Sequence, residues 1–443
     1  MSRDRPAKRS AVACLVPGRV AGALETDPGS CRRDRILLAP QIALDAVAAL
    51  PAGLILVDAA PLSHPVIRWL GRGIPVALMD AEQAAGWQAG EYVVLDAAEG
   101  VVRAGGDRTG PWHPPGPPDL GRPVGTPDGT EIHLCASVSD TGAARRAVLS
   151  GAESVGLVRS EYLYPDDAAP PSAAFYRRAF ADLLAASAPL TVTVRLLDPA
   201  PDKWPPWLPE RVGGQGLCLP HGSQLYQDHV VRAVVDAQLA ALRDLAPGRL
   251  RVLWPSGALL SDFLRSQEVV TRRLPAVPLG AMVESPIEML ALDRWGAAAD
   301  FVAVGCNDLL GHLCAADRDN PRQRMLLSPY APALFRFLRS AAERAGPALP
   351  RVQLCGLLPQ VDGVLAVLIG LGYRRFSVEP ALIPLLARDA QRQGVGRCAS
   401  LAEAVCGAAD GAAAARLLGV PAGPLWGLVR GDRAARRGPS AGP

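Results

Sequence analysis

Residues 280–320 read GAMVESPIEMLALDRWGAAADFVAVGCNDLLGHLCAADRDN. The apolar run 280–283 predicts a short strand ending at Glu284. Ser285 then caps a helix, Pro286 suits its first turn, and Glu288 completes an S-x-x-E capping box. A second apolar run, Phe301–Val304, ends at Gly305, and Asn307 and Asp308 follow. Two carboxylates therefore stand just past the C-terminal ends of successive strands, where parallel α/β folds keep their chemistry. Arg318 brings a cation near them. The stretch has the outline of an anion-plus-metal site.

Strand–helix alternation extends outward in both directions. Predicted strands are 131–136, 154–158, 191–196, 250–254, 279–283, 300–304, 351–355 and 374–378. Helical patterns lie between them at Phe175–Ala186, Gln224–Leu245, Leu259–Arg273, Pro332–Ala345 and Val361–Leu371. Eight βα units in about 260 residues match a (β/α)8 TIM-type barrel. An open doubly wound sheet has the same periodicity and stays an alternative. The α/β barrel is expected over 129–395.

Before it, residues 10–104 read as a small α/β unit with strands at Ile36–Leu38, Leu54–Val57, Val76–Met79 and Tyr92–Leu95. Residues 105–128, dense in Pro and Gly, predict a semi-rigid linker with a reach of roughly 60 Å. After the barrel, 396–443 predicts a helical segment and then a disordered tail. The bulk numbers are those of a soluble globular protein: 49% hydrophobic, 20% charged, net charge +3. That balance carries no nucleic-acid footprint. Nine cysteines without a CxxC pair argue against a zinc cage or a disulfide framework and for a cytoplasmic protein. Pro17, Gly18 and Arg19 break the early apolar run, and Asp58 and Asp362 interrupt the longest later ones, so neither signal peptide nor membrane span is expected.

The strand ends carry a polar set: Arg159, Arg195 with Asp198 and Lys203, Glu284, Asn307 and Asp308, and Cys355. On a barrel these converge on one rim. A lone arginine at a strand end is more often a surface ion pair, and a lone cysteine an inert core thiol. Together they suggest more. Guanidinium forks suit bidentate phosphate binding. Glu284 and Asp308 are hard oxygen ligands of the kind that hold Mg²⁺, with substrate oxygens completing the shell.

The same segments resemble the phosphoenolpyruvate-utilising enzymes, especially enzyme I of the bacterial sugar phosphotransferase system. GLVRSEYLY at 156–164 is similar to that family's GLxRTEFLF, and TVRLLDPAPDK at 193–203 to RTLDxGxDK. AMVESP resembles xMVExP, VGCNDLLGHLCAADRDN resembles IGTNDLxQYxxAxDRxN, LCGLLP at 354–359 aligns with CGExA, and FSVEPALIPLLAR at 376–388 with FSxxxxxIPxxK. The resemblance assigns Arg159, Arg195, Lys203 and Arg318 to the phosphate of phosphoenolpyruvate (PEP), Asn307 to substrate, Glu284 and Asp308 to Mg²⁺, and Cys355 to protonation of the enolate. In the first unit, LVDAAPLSHPVIRWLGRGIPVAL at 56–78 resembles the swivelling phosphohistidine segment GGxTSHxAIxARxLGIPAV. His64 then falls on the phosphorylated histidine, ahead of a helix that Pro65 opens.

Departures qualify the match. Gln215 and Cys218 stand where the family has arginines, Leu357 replaces a glutamate, and Ala59, Ala60 and Leu62 replace two glycines and a threonine. No segment resembles an ATP-grasp region or the insertion with which enzyme I docks its carrier protein HPr, so the phosphoryl acceptor is unidentified. The resemblance implies a PEP-dependent phosphotransferase working through His64, and a possible homodimer through the barrel. Alternatives are an enzyme that uses PEP or a keto acid directly on a small molecule, and a non-catalytic PEP-binding regulator.

Overall fold

The computed structural model describes residues 8–105, 112–164, 169–199, 204–208, 226, 228–245, 247–255, 259–421 and 426–429. Its centre is a ring of parallel strands: Glu131–Val138, Val155–Arg159, Val192–Arg195, Leu250–Trp254, Leu279–Val283, Phe301–Gly305, Val352–Cys355 and Arg375–Val378. Each pairs with its successor, and the eighth pairs back onto the first, from His133 opposite Arg375 to Ala136 opposite Val378. The ring is closed. That settles the choice between barrel and open sheet that periodicity left undecided.

Strand alternation decides what points inward. In strand five Ala281 and Val283 join the large apolar cluster around the barrel, while Met282 joins an inner cluster with Leu157, Leu253, Phe301, Ala303 and Cys355. A Cβ on Gly280 would stand 2.3 Å from the Phe301 ring, so glycine there makes room for the aromatic plug. Arg251 lies over that ring, 3.8 Å from its centroid. The barrel is thus a filled core whose open end is the C-terminal rim.

The helices start where their sequence signals lie. Asp140, Ser172, Asp228 and Ser285 each accept a hydrogen bond from the backbone of the first turn they precede. The predicted capping box is present in both directions between Ser285 and Glu288. The helix expected over Val361–Leu371 is shorter, Val364–Gly370, because Gly363 takes a positive φ of 87° just before it. The helix expected from Gln224 begins instead at His229, after the Asp228 cap.

Residues 9–104 form a separate eight-stranded mixed sheet. Its parallel centre is Arg19–Glu25, Arg35–Pro40, Gly53–Val57 and Val76–Met79. Ala13–Val16 adds antiparallel at one edge; Tyr92–Asp96, Val101–Ala104 and Arg9–Ala11 follow at the other. One face (Leu37, Leu54, Leu56, Leu78) belongs to the apolar cluster that runs through the barrel, and the other (Ile36, Ile55, Ala77, Met79) packs its own.

In the proline-rich connection, 106–111 lies outside the described residues. Its later part runs along the barrel: Gly121 N donates to Ala152 O at 3.0 Å. After the barrel come helices Val395–Cys406 and Gly411–Leu417. Residues 426–429 then bridge the two sheets. Leu428 N donates to Cys14 O of the first sheet at 2.7 Å, while Asp362 N donates to Gly427 O (3.1 Å) and Val429 N to Gln360 O (2.8 Å) at the barrel. The tail expected to be disordered, from 430 onward, lies outside the described residues. Among the described residues no helix is long and apolar enough to cross a membrane.

Candidate active site at the barrel rim

The inward register of the strands carries Arg159, Arg195, Glu284 and Cys355 to the C-terminal rim. Arg159 and Arg195 are direct partners on adjacent strands. Two guanidinium groups side by side need compensation, and for Arg195 it is built in. Its Nη2 meets Glu161 Oε1 at 2.5 Å and its Nη1 meets Asp198 Oδ2 at 2.9 Å. Burial would lower the Arg195 pKa, but Glu161, Asp198 and Glu284 together raise it, so the group stays charged. The backbone of Arg159 belongs to the strand ladder, but its side chain makes no hydrogen bond or ion pair with any described residue. It is the cation left available for a ligand.

Glu284 follows directly on strand five. Its Oε2 is buried and has no hydrogen-bond partner among the described residues. Burial, and then the neighbouring Asp308 carboxylate, push its pKa well above the ordinary range. Gly305 leaves room for it, since a Cβ there would stand 2.5 Å from Oε2. Asp308, on the helix Cys306–Cys314, meets Arg318 Nε at 2.9 Å. Burial opposes its ionisation, but Arg318 and then His64 lower the pKa. An unpartnered carboxylate oxygen facing a second carboxylate is a donor pair that a hard divalent cation would satisfy. Among the described residues no group of three or more His, Cys, Asp or Glu side chains gathers to hold a metal, so other oxygens would have to complete the shell.

Cys355 is 1% exposed at the end of strand seven. Gln353 Nε2 donates toward its Sγ at 3.3 Å. Burial pushes the thiol up to about 11, against the smaller lowering effects of Gln353 and the two arginines. It is therefore a protonated thiol at neutral pH. Asn307 braces the loop that follows: Leu357 N donates to its Oδ1 at 2.9 Å, and a Cβ on Gly356 would strike that same oxygen at 2.7 Å. Gly356 also has a positive φ of 94°, so glycine is required twice over.

The first unit brings His64 onto this rim. The helix His64–Leu70 is capped by Ser63, with Pro65 in its first turn. Arg318 Nη2 stands against the imidazole, closest to Nε2 and 3.2 Å from Nδ1. On the other side Nδ1 is 3.0 Å from Asp319 Oδ2, and His64 N donates to Asp319 Oδ1 at 2.8 Å. Further ties fix the docking: Arg324 to Asp58 (2.9 Å), Arg146 to Gly71 O, and Gln41 Nε2 to Asp319 O (3.0 Å). At strand eight, Glu379 is 5% exposed, and burial raises its carboxyl to about 7 despite Arg159 and Arg146.

Of the residues expected from sequence, Arg159, Arg195, Glu284, Asn307, Asp308, Arg318, Cys355 and His64 all lie on this one rim or against it. Lys203, Gln215 and Cys218 lie outside the described residues. Sequence reasoning did not single out Asp319, Gln41, His312 or Glu379. His312 Nδ1 is 3.0 Å from Glu284 O, one helical turn past Asp308, and that spacing was the available signal. Asp319 had none, because its partner His64 is 255 positions away.

Residues 121–394 match the family model described as PEP-utilising enzyme, PEP-binding domain. A multiphosphoryl transfer protein of Rhodobacter capsulatus is 31% identical over 274 residues, covering 60% of this chain and 33% of its own length. A phosphoenolpyruvate-protein phosphotransferase of Enterococcus faecalis is 26% identical over 299 residues, covering 63% of this chain and 50% of its own. Multiphosphoryl transfer protein 2 of Escherichia coli is 27% identical over 399 residues, covering 83% of this chain and 46% of its own. That last share is larger than residues 106–443 could supply, so the similarity reaches into the first unit. The chain spans between a third and a half of the length of these curated relatives. A closed barrel whose rim carries this set of arginines, carboxylates and thiol, matched across most of its length, places the chain in the family of PEP-utilising enzymes.

Proposed function

We propose that the chain transfers the phosphoryl group of PEP to His64, releases pyruvate, and passes the group on to an acceptor of unidentified chemistry. The observation that carries this reading is the contact between His64 and Arg318, whose guanidinium is itself paired with Asp308. A histidine from one unit reaches the cation and carboxylates at the mouth of the other.

Arg159 and Arg318 would take the phosphate oxygens, while Arg195, held by Glu161 and Asp198, supplies fixed positive charge behind them. Lys203 is assigned there by its match to the family motif. Asn307 keeps the Cys355–Leu357 loop in place and offers its amide N–H₂ to substrate. Glu284 and Asp308 would hold Mg²⁺, which supplies charge neutralisation at the phosphate and enol oxygens. The Nε2 lone pair of His64 forms the new N–P bond as the P–O bond to the enol oxygen breaks. The electron pair passes to C3, which takes the Cys355 proton and leaves pyruvate. A thiol near 11 keeps its proton until a base as strong as an enolate is present.

One observation favours a second reading, in which PEP is used directly on a small molecule at the rim. Residues 426–429 tie the first sheet to the barrel, which would keep His64 docked. The two readings separate on PEP consumption. If His64→Ala abolishes both label uptake and pyruvate release, the histidine route stands. Pyruvate release that survives His64→Ala but not Cys355→Ala selects the direct route.

A further inference from the structure

Asp319 lies between the barrel and His64, and its place is fixed from several sides. Its N donates to Asp317 Oδ1 at 2.9 Å. Its carbonyl accepts from Gln41 Nε2 (3.0 Å), whose Oε1 in turn accepts from Ala60 N (2.9 Å) on the approach to the His64 helix. Its carboxylate receives both His64 N and Nδ1, at 2.8 and 3.0 Å. A carboxylate can only accept and a guanidinium can only donate. With Asp319 at Nδ1 and Arg318 closest to Nε2, the one proton of a neutral imidazole belongs on Nδ1.

We propose that Asp319 is a positioning residue that holds the Nδ1 proton of His64 and so presents the Nε2 lone pair toward the rim. Its consequence for rate rests on the phosphotransfer reading above; the hydrogen-bonded arrangement does not. Neutral imidazole has one nucleophilic nitrogen, and the wrong tautomer turns an N–H toward the phosphate. Asp319 stays ionised for the task. Burial would raise its pKa, but the His64 bonds and Arg318 outweigh that and bring it to about 2.

The test uses the full chain and Asp319→Asn, with Asp319→Ala as a second variant. Asn keeps an acceptor for His64 N but lets an N–H₂ turn toward Nδ1, so docking is preserved while the tautomer is not. Histidine-selective ¹⁵N spectra, at a pH where the imidazole is neutral, should show His64 of the parent chain as the Nδ1–H form and the variants as mixtures. His64 phosphorylation by PEP with Mg²⁺ should slow on the order of 100-fold in Asp319→Asn with PEP affinity unchanged. An Nε2–H form in the parent chain, or parent-like phosphorylation of Asp319→Asn, overturns the proposal. If the parent chain takes no phosphoryl group, the phosphotransfer reading fails. The spectra then decide Asp319 alone: Nδ1–H upholds its role and Nε2–H overturns it.

Discussion

The unpartnered oxygen of Glu284 makes the metal claim testable through stability as well as turnover. Without a cation, the carboxylate pair costs free energy through burial and mutual repulsion. Glu284→Gln should therefore melt higher than the parent chain in EDTA, by an amount on the order of 1–3 kcal/mol. The parent chain should gain stability on adding Mg²⁺ and the variant should not. Calorimetry in EDTA and in Mg²⁺ checks both halves. Glu379 gives a pH signature. Its folded pKa of about 7 lies above the ordinary carboxylate value, so the folded state holds a proton that the unfolded chain has already released. Its contribution is fully present below about 4.5 and declines as pH rises to about 7. Glu379→Gln should flatten the fall in melting temperature between pH 5 and 8. An unchanged slope would mean that this carboxyl is already ionised.

At the scale of single elements, the Ser285–Glu288 capping box fixes the direction in which the chain leaves strand five, immediately after Glu284. Ser285→Ala is expected to cost about 0.5–2 kcal/mol by denaturant melting, with a larger loss of Mg²⁺ response than of fold. The 426–429 bridge is the other element with a consequence. A Cβ on Gly427 would stand 2.7 Å from Cys14 O, so the bridge needs glycine for close approach. Gly427→Val should loosen the first sheet against the barrel without separating them, since the shared apolar cluster and the Arg324–Asp58 pair remain, and faster proteolysis around 426–429 would show it. The barrel strands were legible because each is a short apolar run ended by a polar residue, and seen boundaries fall within a residue or two of those expected. Periodicity could not show closure, which depends on His133 meeting Arg375 across the ring. Nor could it reveal the bridge, since Gly427 and Leu428 have no pattern of their own and are held by backbone groups of Cys14 and Asp362.

On the scale of the whole molecule, the proposed transfer requires two units to meet at one rim. The arginines, carboxylates and thiol of the barrel were readable because each sits at a strand end inside a recognisable motif. The docking was not, because it rests on contacts such as His64–Asp319, Arg324–Asp58 and Arg146–Gly71, whose partners are far apart in sequence. Those contacts bring the histidine against the Arg318 guanidinium, which is where the proposed phosphoryl transfer would take place. The most direct measurement is incubation of the full chain with PEP labelled in the phosphoryl group, in Mg²⁺, followed by recovery of protein-bound label from the parent chain and from His64→Ala. Acid-labile label is expected on the parent chain, matched by pyruvate released and absent from His64→Ala. No label on the parent chain, or equal label on His64→Ala, would contradict it.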